Sequence, residues 1–359
     1  MCGIFGIALR EGAECSLRAT ESMLNSLYRF SESRGKGSAG LHVYSLRPPA
    51  SCTIKSATRG TELIRSPQFH NVLQGFVMPA FGSNGERPSG PIVLLGHTRL
   101  VTNGSSDRFE NNQPVSANGM TMVHNGIVVN VDDLWAAHGE LNRTAEVDTE
   151  VLAALAGKRI EDGSHPVTAI RTVFSEMKGT ASVALVHNRG HWLMLATNTG
   201  DLYRYADEER GFLLFASERF ILSQVVAGLD SSFQADPLRI AWLRPGLGVV
   251  VDLRAFKGFD FPLAQEPGGP LPSLPEPQAE PIAHRHVTVE QPAAPFVHAA
   301  HADESLLRYN ATRVRALRRC SRCILPETFP FIEYDEQGVC NYCRHYRPRL
   351  QQDREKSFI

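Results

Sequence analysis

The apolar positions of this chain fall into short continuous runs separated by helical stripes. GIFGIAL at 3–9 is an unbroken apolar run of strand length, and SLRATESMLNSLYRF at 16–30 spaces its apolar side chains along one helical face. SAGLHVYS (38–45), IVLLGHTRL (92–100) and MTMVHNG (120–126) read as strands bounded by turn residues. VDTEVLAALAGKRI (147–160) and PVTAIRTVFSEMKG (166–179) return to helical spacing. TASVALVHN (180–188) and HWLMLATN (191–198) form a strand pair across the turn Arg189-Gly190. Strands interleaved with two sets of amphipathic helices predict an α+β fold, with stacked sheets flanked by helices.

That pattern fades near residue 258. Residues 259–303 are rich in proline and alanine with almost no apolar periodicity, so they read as an extended linker or a surface-wrapping tail. ESLLRYNATRVRALRR (304–319) is a basic helix preceding a cysteine-rich end. Three regions are therefore expected: 2–258, 259–303 and 304–359.

Composition narrows the function classes. The 359 residues are 42% hydrophobic and 21% charged with a net charge of −1, so no whole-chain field favours nucleic acid or an anionic membrane. No apolar run approaches the ~18 residues of a membrane span. The seven cysteines are odd in number and four cluster at 320–343, which fits metal binding better than a disulfide framework. The expectation is a soluble, cytoplasmic protein, with Cys15 and Cys52 as ordinary buried thiols.

Cys2 raises a sharper possibility. A thiol is little ionised near neutral pH and needs a base to act as a nucleophile. If Met1 is removed, Cys2 carries a thiol and a free α-amine together, and that amine, titrating near pH 8, can accept the proton. Alone, Met-Cys also fits a small hydrophobe starting a buried strand. Further along, SRGKGSAG (33–40) supplies a glycine-rich turn, GHTRLVTNG (96–104) sets Arg99 at a strand end, and VHNG (123–126) presents Asn125 and Gly126, a pair that also signals a hairpin turn. EVDTEV (146–151) puts Asp148 at a helix start, where it could simply cap.

In this order and spacing, CGIFGI, RG…SAG, GHTR…T.G, HNG and DTE resemble the class II, N-terminal-nucleophile glutamine amidotransferases. That family includes the glutaminase halves of glucosamine-6-phosphate synthase and asparagine synthetase. The resemblance covers about residues 2–225 and implies a four-layer αββα sandwich that hydrolyses L-glutamine without a cofactor. It assigns Cys2 as the nucleophile that forms a thioester, with its α-amine moving the proton. Asn125 and Gly126 become the oxyanion donors, Arg99 the clamp on the glutamine α-carboxylate, and Asp148 the ligand of the α-ammonium. Thr102 falls in the closing loop as a further substrate-binding candidate, while His97 and His124 are expected to be structural. Leu100 and Asn103 depart from the glucosamine-synthase pattern of tryptophan and histidine at those positions, so a different closing loop is expected, with no sugar-isomerase partner.

The array CxxC-x16-CxxC at Cys320, Cys323, Cys340 and Cys343 can form two knuckles around one structural Zn²⁺, closed to catalysis because all four positions are thiolates. FIEYDEQGV between them reads as a hairpin turning at Glu336-Gln337-Gly338. The segment resembles the opening of the N-acetyl sugar amidotransferases, where an ATP-pyrophosphatase domain with an SGGxDS loop follows. This sequence reaches Ile359 without that loop, so a separate ATP-pyrophosphatase-type synthetase subunit is the expected partner. Arg308, Arg313, Arg315, Arg318, Arg319 and Arg322 then read as a docking surface for an acidic partner rather than for nucleic acid. A non-catalytic zinc-bearing scaffold with a glutaminase fold, and an amide hydrolase acting on another substrate, remain as alternatives.

Overall fold

GIFGIAL forms β1 (Gly3–Leu9), every residue of it buried, because it is the fourth of eight strands in one sheet. The computed structural model describes residues 2–82, 84–101, 104–230, 233, 235–264, 271–289 and 311–346. Beside β1 run β4 (Ile92–Arg99), β2 (Ser38–Leu46), β3 (Pro49–Ser56) and β14 (His284–Thr288) on one side. β10 (Phe212–Ala216), β9 (Tyr203–Asp207) and β11 (Ala241–Trp242) complete the sheet on the other. The second sheet is six-stranded, in the order β13 (Lys257–Pro262), β12 (Leu247–Asp252), β8 (Trp192–Thr197), β7 (Gly179–His187), β6 (Met120–Val128), β5 (Val115–Ala117). Its pairings are antiparallel, as are those of the first sheet except for the parallel pair of β14 and β3.

The period-2 alternation of a strand sorts these side chains into layers. Phe5, Ile7 and Leu9 pack with Leu24, Leu27 and Tyr28 of α1 (Leu17–Ser31), Phe69 of α3 (Pro67–Val72) and Ile221 and Val225 of α7 (Arg219–Ala227). A short α2 (Gly60–Leu63) lies between α1 and α3 in sequence. Ile4 and Ala8 point the other way and meet Val93, Leu95, Val123, Ala184, Leu193 and Val249 between the two sheets. Met120, Met122, Val183 and Leu185 face α5 (Asp148–Glu161) and α6 (Pro166–Glu176), while α4 (Val131–Ala137) adds Leu134. The result is a four-layer αββα sandwich with three apolar interfaces. Truncating Phe5 to Ala in such a layer would cost about 3–5 kcal/mol.

The chain divides into two compact units, residues 1–292 and 293–359. The first unit thus reaches beyond residue 258: β13 crosses that position, and the described part of the expected linker supplies β14. HRHVT lacks an apolar run, and its place is set by pairing to β3. Of the expected basic helix, residues 311–319 are described; the helix there is α8 (Ala311–Ala316), Arg318 and Arg319 follow it outside the helix, and Arg308 lies outside the described residues. α9 (Asn341–His345) carries Cys343. Among the described residues no helix is long and apolar enough to cross a membrane.

Candidate active site and cysteine cluster

Strand parity assembles the first group of candidates. Gly3 pairs with Thr98, so extending the register one residue sets Cys2 opposite Arg99. Cys2 has the parity of Ile4 and Ala8, and Arg99 that of Val93 and Leu95, so both belong to the inter-sheet side. Asn125 shares the parity of Val123, which lies in the same inter-sheet layer on β6, and β6 packs across from β1 and β4.

The Cys2 thiol is half-buried and donates to the carbonyl of Leu100 at 3.6 Å. Burial pushes its pKa up, the Leu100 contact and the Arg99 guanidinium pull it down, and the Asp148 carboxylate pushes it up again, with a net rise. The thiol therefore stays protonated near neutral pH and would need a base. Gly35 allows this arrangement: a Cβ there would lie 2.3 Å from the Arg99 carbonyl carbon and 2.5 Å from Leu100 N. Gly37 N–H donates to Arg99 O at 2.9 Å, fixing the strand end that bears both groups. Arg34 holds the Cys2 backbone, donating from Nε to its carbonyl at 2.9 Å while pairing with Glu218 at 2.5 Å.

Arg99 is buried, with Nη1 donating to Asn112 Oδ1 at 2.9 Å and Nη2 to Gly104 O at 3.0 Å. Burial lowers its pKa against the opposing pull of Cys2 and Asp148, which places all three within electrostatic reach of one another. Asn112 is itself fixed, its amide donating to Ser106 O at 2.6 Å.

Asp148 is the first residue of α5, with Val147 at the cap position. Its Oδ2 accepts from Val128 N at the end of β6 at 2.9 Å, and Oδ1 lies 3.4 Å from His124 Nδ1. Burial would raise its pKa, yet the bonds from His124 and from the Val128 and Thr149 N–H groups hold it below the usual carboxylate range. A cavity of about 590 Å³ opens beside it, lined also by Asp132, Asp133, Glu146 and Arg143, with Asp132 paired to Arg143 at 2.8 Å and Glu146 to Arg108 at 2.7 Å.

Asn125 and Gly126 do not form the hairpin turn their sequence signals. They continue β6, paired in register with Ser182 and Ala181 of β7. The chain leaves the strand two residues later, where Asn130 bridges to the Glu176 carbonyl and the Lys178 N–H. Glycine is required at 126 because a Cβ would lie 2.0 Å from Thr180 O. Asn125 is buried, and its Oδ1 has no partner. His97 is fully buried with both ring nitrogens unpartnered, and burial drives its pKa down to about 3. Thr102 lies outside the described residues.

Sequence reasoning missed the residues that hold this group: Arg34, Glu218, Asn112 and Gln113. Gln113 clasps His124 through both backbone groups, at 2.5 and 3.0 Å. Their one signal was NNQP at 111–114, a polar run whose first three residues are buried.

In the second unit, Cys320, Cys323, Cys340 and Cys343 bring all four Sγ atoms within 4.8 Å of one another. Sγ separations of 3.9 Å (Cys320–Cys343) and 3.6 Å (Cys323–Cys340) match the ~3.8 Å edge of a tetrahedron with ~2.3 Å Zn–S bonds. Cys320 Sγ accepts N–H bonds from Cys340 and Arg322 at 3.2 and 3.4 Å. Burial pushes the Cys320 thiol up, but the N–H groups of Cys340, Cys323 and Arg322 more than offset it and bring it down to about 6. Between the pairs, Asp335 Oδ1 accepts from Gln337 N and Val339 N, closing the turn over Glu336-Gln337-Gly338. The donor set thus suits a tetrahedral thiophilic ion such as Zn²⁺.

Residues 97–224 match the family described as a glutamine amidotransferase domain. The chain is 28% identical over 202 residues to the isomerizing glutamine–fructose-6-phosphate aminotransferase of Caulobacter vibrioides, covering 56% of this chain and 29% of that protein. It is 28% identical over 229 residues to the enzyme of the same name from Geobacillus kaustophilus, covering 63% and 33%. The chain therefore spans about a third of the length of these curated relatives. A solved structure described as the allosteric regulatory enzyme of purine biosynthesis matches with a TM-score of 0.50 and 20% identity, over 74% of this chain and 50% of that one, a likeness of fold.

Proposed function

Because this chain carries a class II glutamine amidotransferase domain, homologous to glutamine-hydrolysing enzymes, we propose that it hydrolyses L-glutamine to glutamate and ammonia through Cys2. The observation carrying this reading is the placement of Cys2 opposite Arg99, with Asp148 within electrostatic reach of both.

On this reading, Met1 is removed and the Cys2 α-amine takes the thiol proton as sulfur attacks the side-chain amide carbon. The raised thiol pKa supports that role, since a thiol that stays protonated needs an adjacent base. The Asn125 side chain and the Gly126 N–H stabilise the oxyanion, each donor being worth ~3 kcal/mol. Collapse expels ammonia, with the amine returning its proton to the leaving nitrogen. Water activated by the same amine then cleaves the thioester. Arg99, with Thr102 in the closing loop, binds the α-carboxylate, and Asp148 binds the α-ammonium. A guanidinium already held by Asn112 and Gly104 loses little freedom on binding.

We further propose that ammonia passes to a separate ATP-dependent, asparagine-synthetase-like subunit, docked through the basic, zinc-bearing 304–359 region. The cytoplasm suits both reduced thiolates and such a partner. Glutamate release by the purified chain, together with intact mass, tests the first step. Cys2→Ala retaining the wild-type rate would exclude the mechanism. A folded protein with Met1 removed that never hydrolyses glutamine would favour a scaffold.

A further inference from the structure

A second polar site sits away from the amidotransferase residues. His42 on β2 has the parity of Tyr44, which faces the inter-sheet layer. Ser51 and Thr53 on β3 alternate with Cys52 and Ile54, which face the helices, so the two hydroxyls lie on the inter-sheet side as well. β14 pairs with β3 so that His284 is opposite Ser51 and His286 opposite Thr53, bringing further imidazoles to this face. A cavity of about 190 Å³ opens there, walled by His42, Tyr44 and His284 from one sheet and Ser116, Thr121 and Asn188 from the other.

The two histidines are prepared alike. His42 Nδ1 lies 2.9 Å from Thr53 Oγ1, and His284 Nδ1 lies 2.6 Å from Ser51 Oγ. In each ring the other nitrogen, Nε2, is buried without a partner. The rings are 5.4 Å apart, brought close across β3 by the small side chains between them. One ring nitrogen tied to an oxygen and the other left bare is the arrangement of metal-ligating histidines.

We propose that His42 and His284 bind a divalent first-row transition-metal ion through their Nε2 atoms, with water completing the coordination in the cavity. Imidazole nitrogen suits zinc, nickel or copper, while the hydroxyl, carboxamide and water surroundings supply no competing thiolate. The bound ion ties β14, the parallel edge strand, to β2 across β3. This inference is independent of glutamine chemistry.

The experiment is a Co²⁺ titration of the metal-free full chain, followed by absorbance and equilibrium dialysis. Wild type is expected to bind two equivalents: one with intense thiolate charge-transfer absorption from the four cysteines, one without it. His284→Gln and His42→Gln should each lose the second equivalent and keep the thiolate signal, which reports that the four-cysteine unit is loaded, while an unchanged far-UV circular dichroism spectrum and thermal melt report that the first unit is folded. Ser51→Ala should weaken the second equivalent by about tenfold or more. Because His42 is fully buried, His284→Gln, on the edge strand, carries the test if His42→Gln does not fold. Saturation of wild type at one equivalent, or a second equivalent undiminished in His284→Gln, would overturn the proposal.

Discussion

Cys2 and Cys320 are the same side chain in opposite surroundings. Cys2 meets a single carbonyl acceptor, and burial pushes its pKa up. Cys320 receives backbone N–H bonds, and its pKa falls to about 6. At Cys2 burial outweighs the Leu100 contact and keeps the proton on sulfur, which calls for a nearby base; at Cys320 amide N–H groups outweigh burial and stabilise the bare thiolate a metal needs. The balance between burial and backbone N–H bonds therefore sets the two thiols apart.

The largest effect that would test this contrast is a double dissociation. Cys2→Ala should lower glutamine hydrolysis by roughly 10⁴-fold or more while leaving metal content unchanged. Cys320→Ser should abolish the thiolate-metal signal and leave the basal hydrolysis rate within about twofold. Measuring both variants by glutamate release and metal analysis breaks the comparison if either substitution moves the other's readout.

Next in size is Asn125→Ala, expected to reduce kcat by about 10²–10³-fold with little change in KM, because an oxyanion donor acts mainly in the transition state. A larger effect on KM than on kcat would move Asn125 from oxyanion to substrate binding. Arg99→Lys should raise KM for glutamine by roughly 30-fold with kcat changed less, since an ammonium cannot reproduce a two-pronged clamp. An unchanged KM would remove Arg99 from the substrate site.

The smallest effect concerns stability. His97 is neutral when folded, with its pKa near 3, whereas the unfolded side chain titrates near 6.5. Between those values the unfolded chain binds the extra proton, so stability falls as pH drops below about 6.5. At pH 5 the loss is about 2 kcal/mol from this one residue. Thermal melts of His97→Gln and wild type between pH 7 and 5 should show the shallower slope in the variant.

Much of the layered fold was legible because alternation and helical spacing are local properties. GIFGIAL, IVLLGHTR and the two helices after Asp148 carry their own burial pattern. β3, PASCTIKS, and β14, HRHVT, do not: Ser51 and His284 face a cavity between the sheets, which only the assembled layers create. Asn125-Gly126 misled for a related reason. The dipeptide is a strong local turn former, yet nine residues of continuous pairing with β7 outweigh that preference. The motif residues Cys2, Arg99 and Asp148 could be nominated from order and spacing. Asn112, Gln113 and Arg34 could not, since a buried polar side chain is recognisable only once its hydrogen-bond partner is placed.

The pinning of β1 has a practical corollary. Gly3 through Leu9 are laddered to β4, and most of that run to β10 as well, so the strand cannot slide to absorb an added residue without turning every side chain to the wrong layer. On the proposed mechanism, an affinity tag fused ahead of Cys2 would leave this pairing intact and silence the chemistry by acylating the α-amine. Assays of this chain call for the tag at the opposite terminus, and for a host that trims the starting methionine.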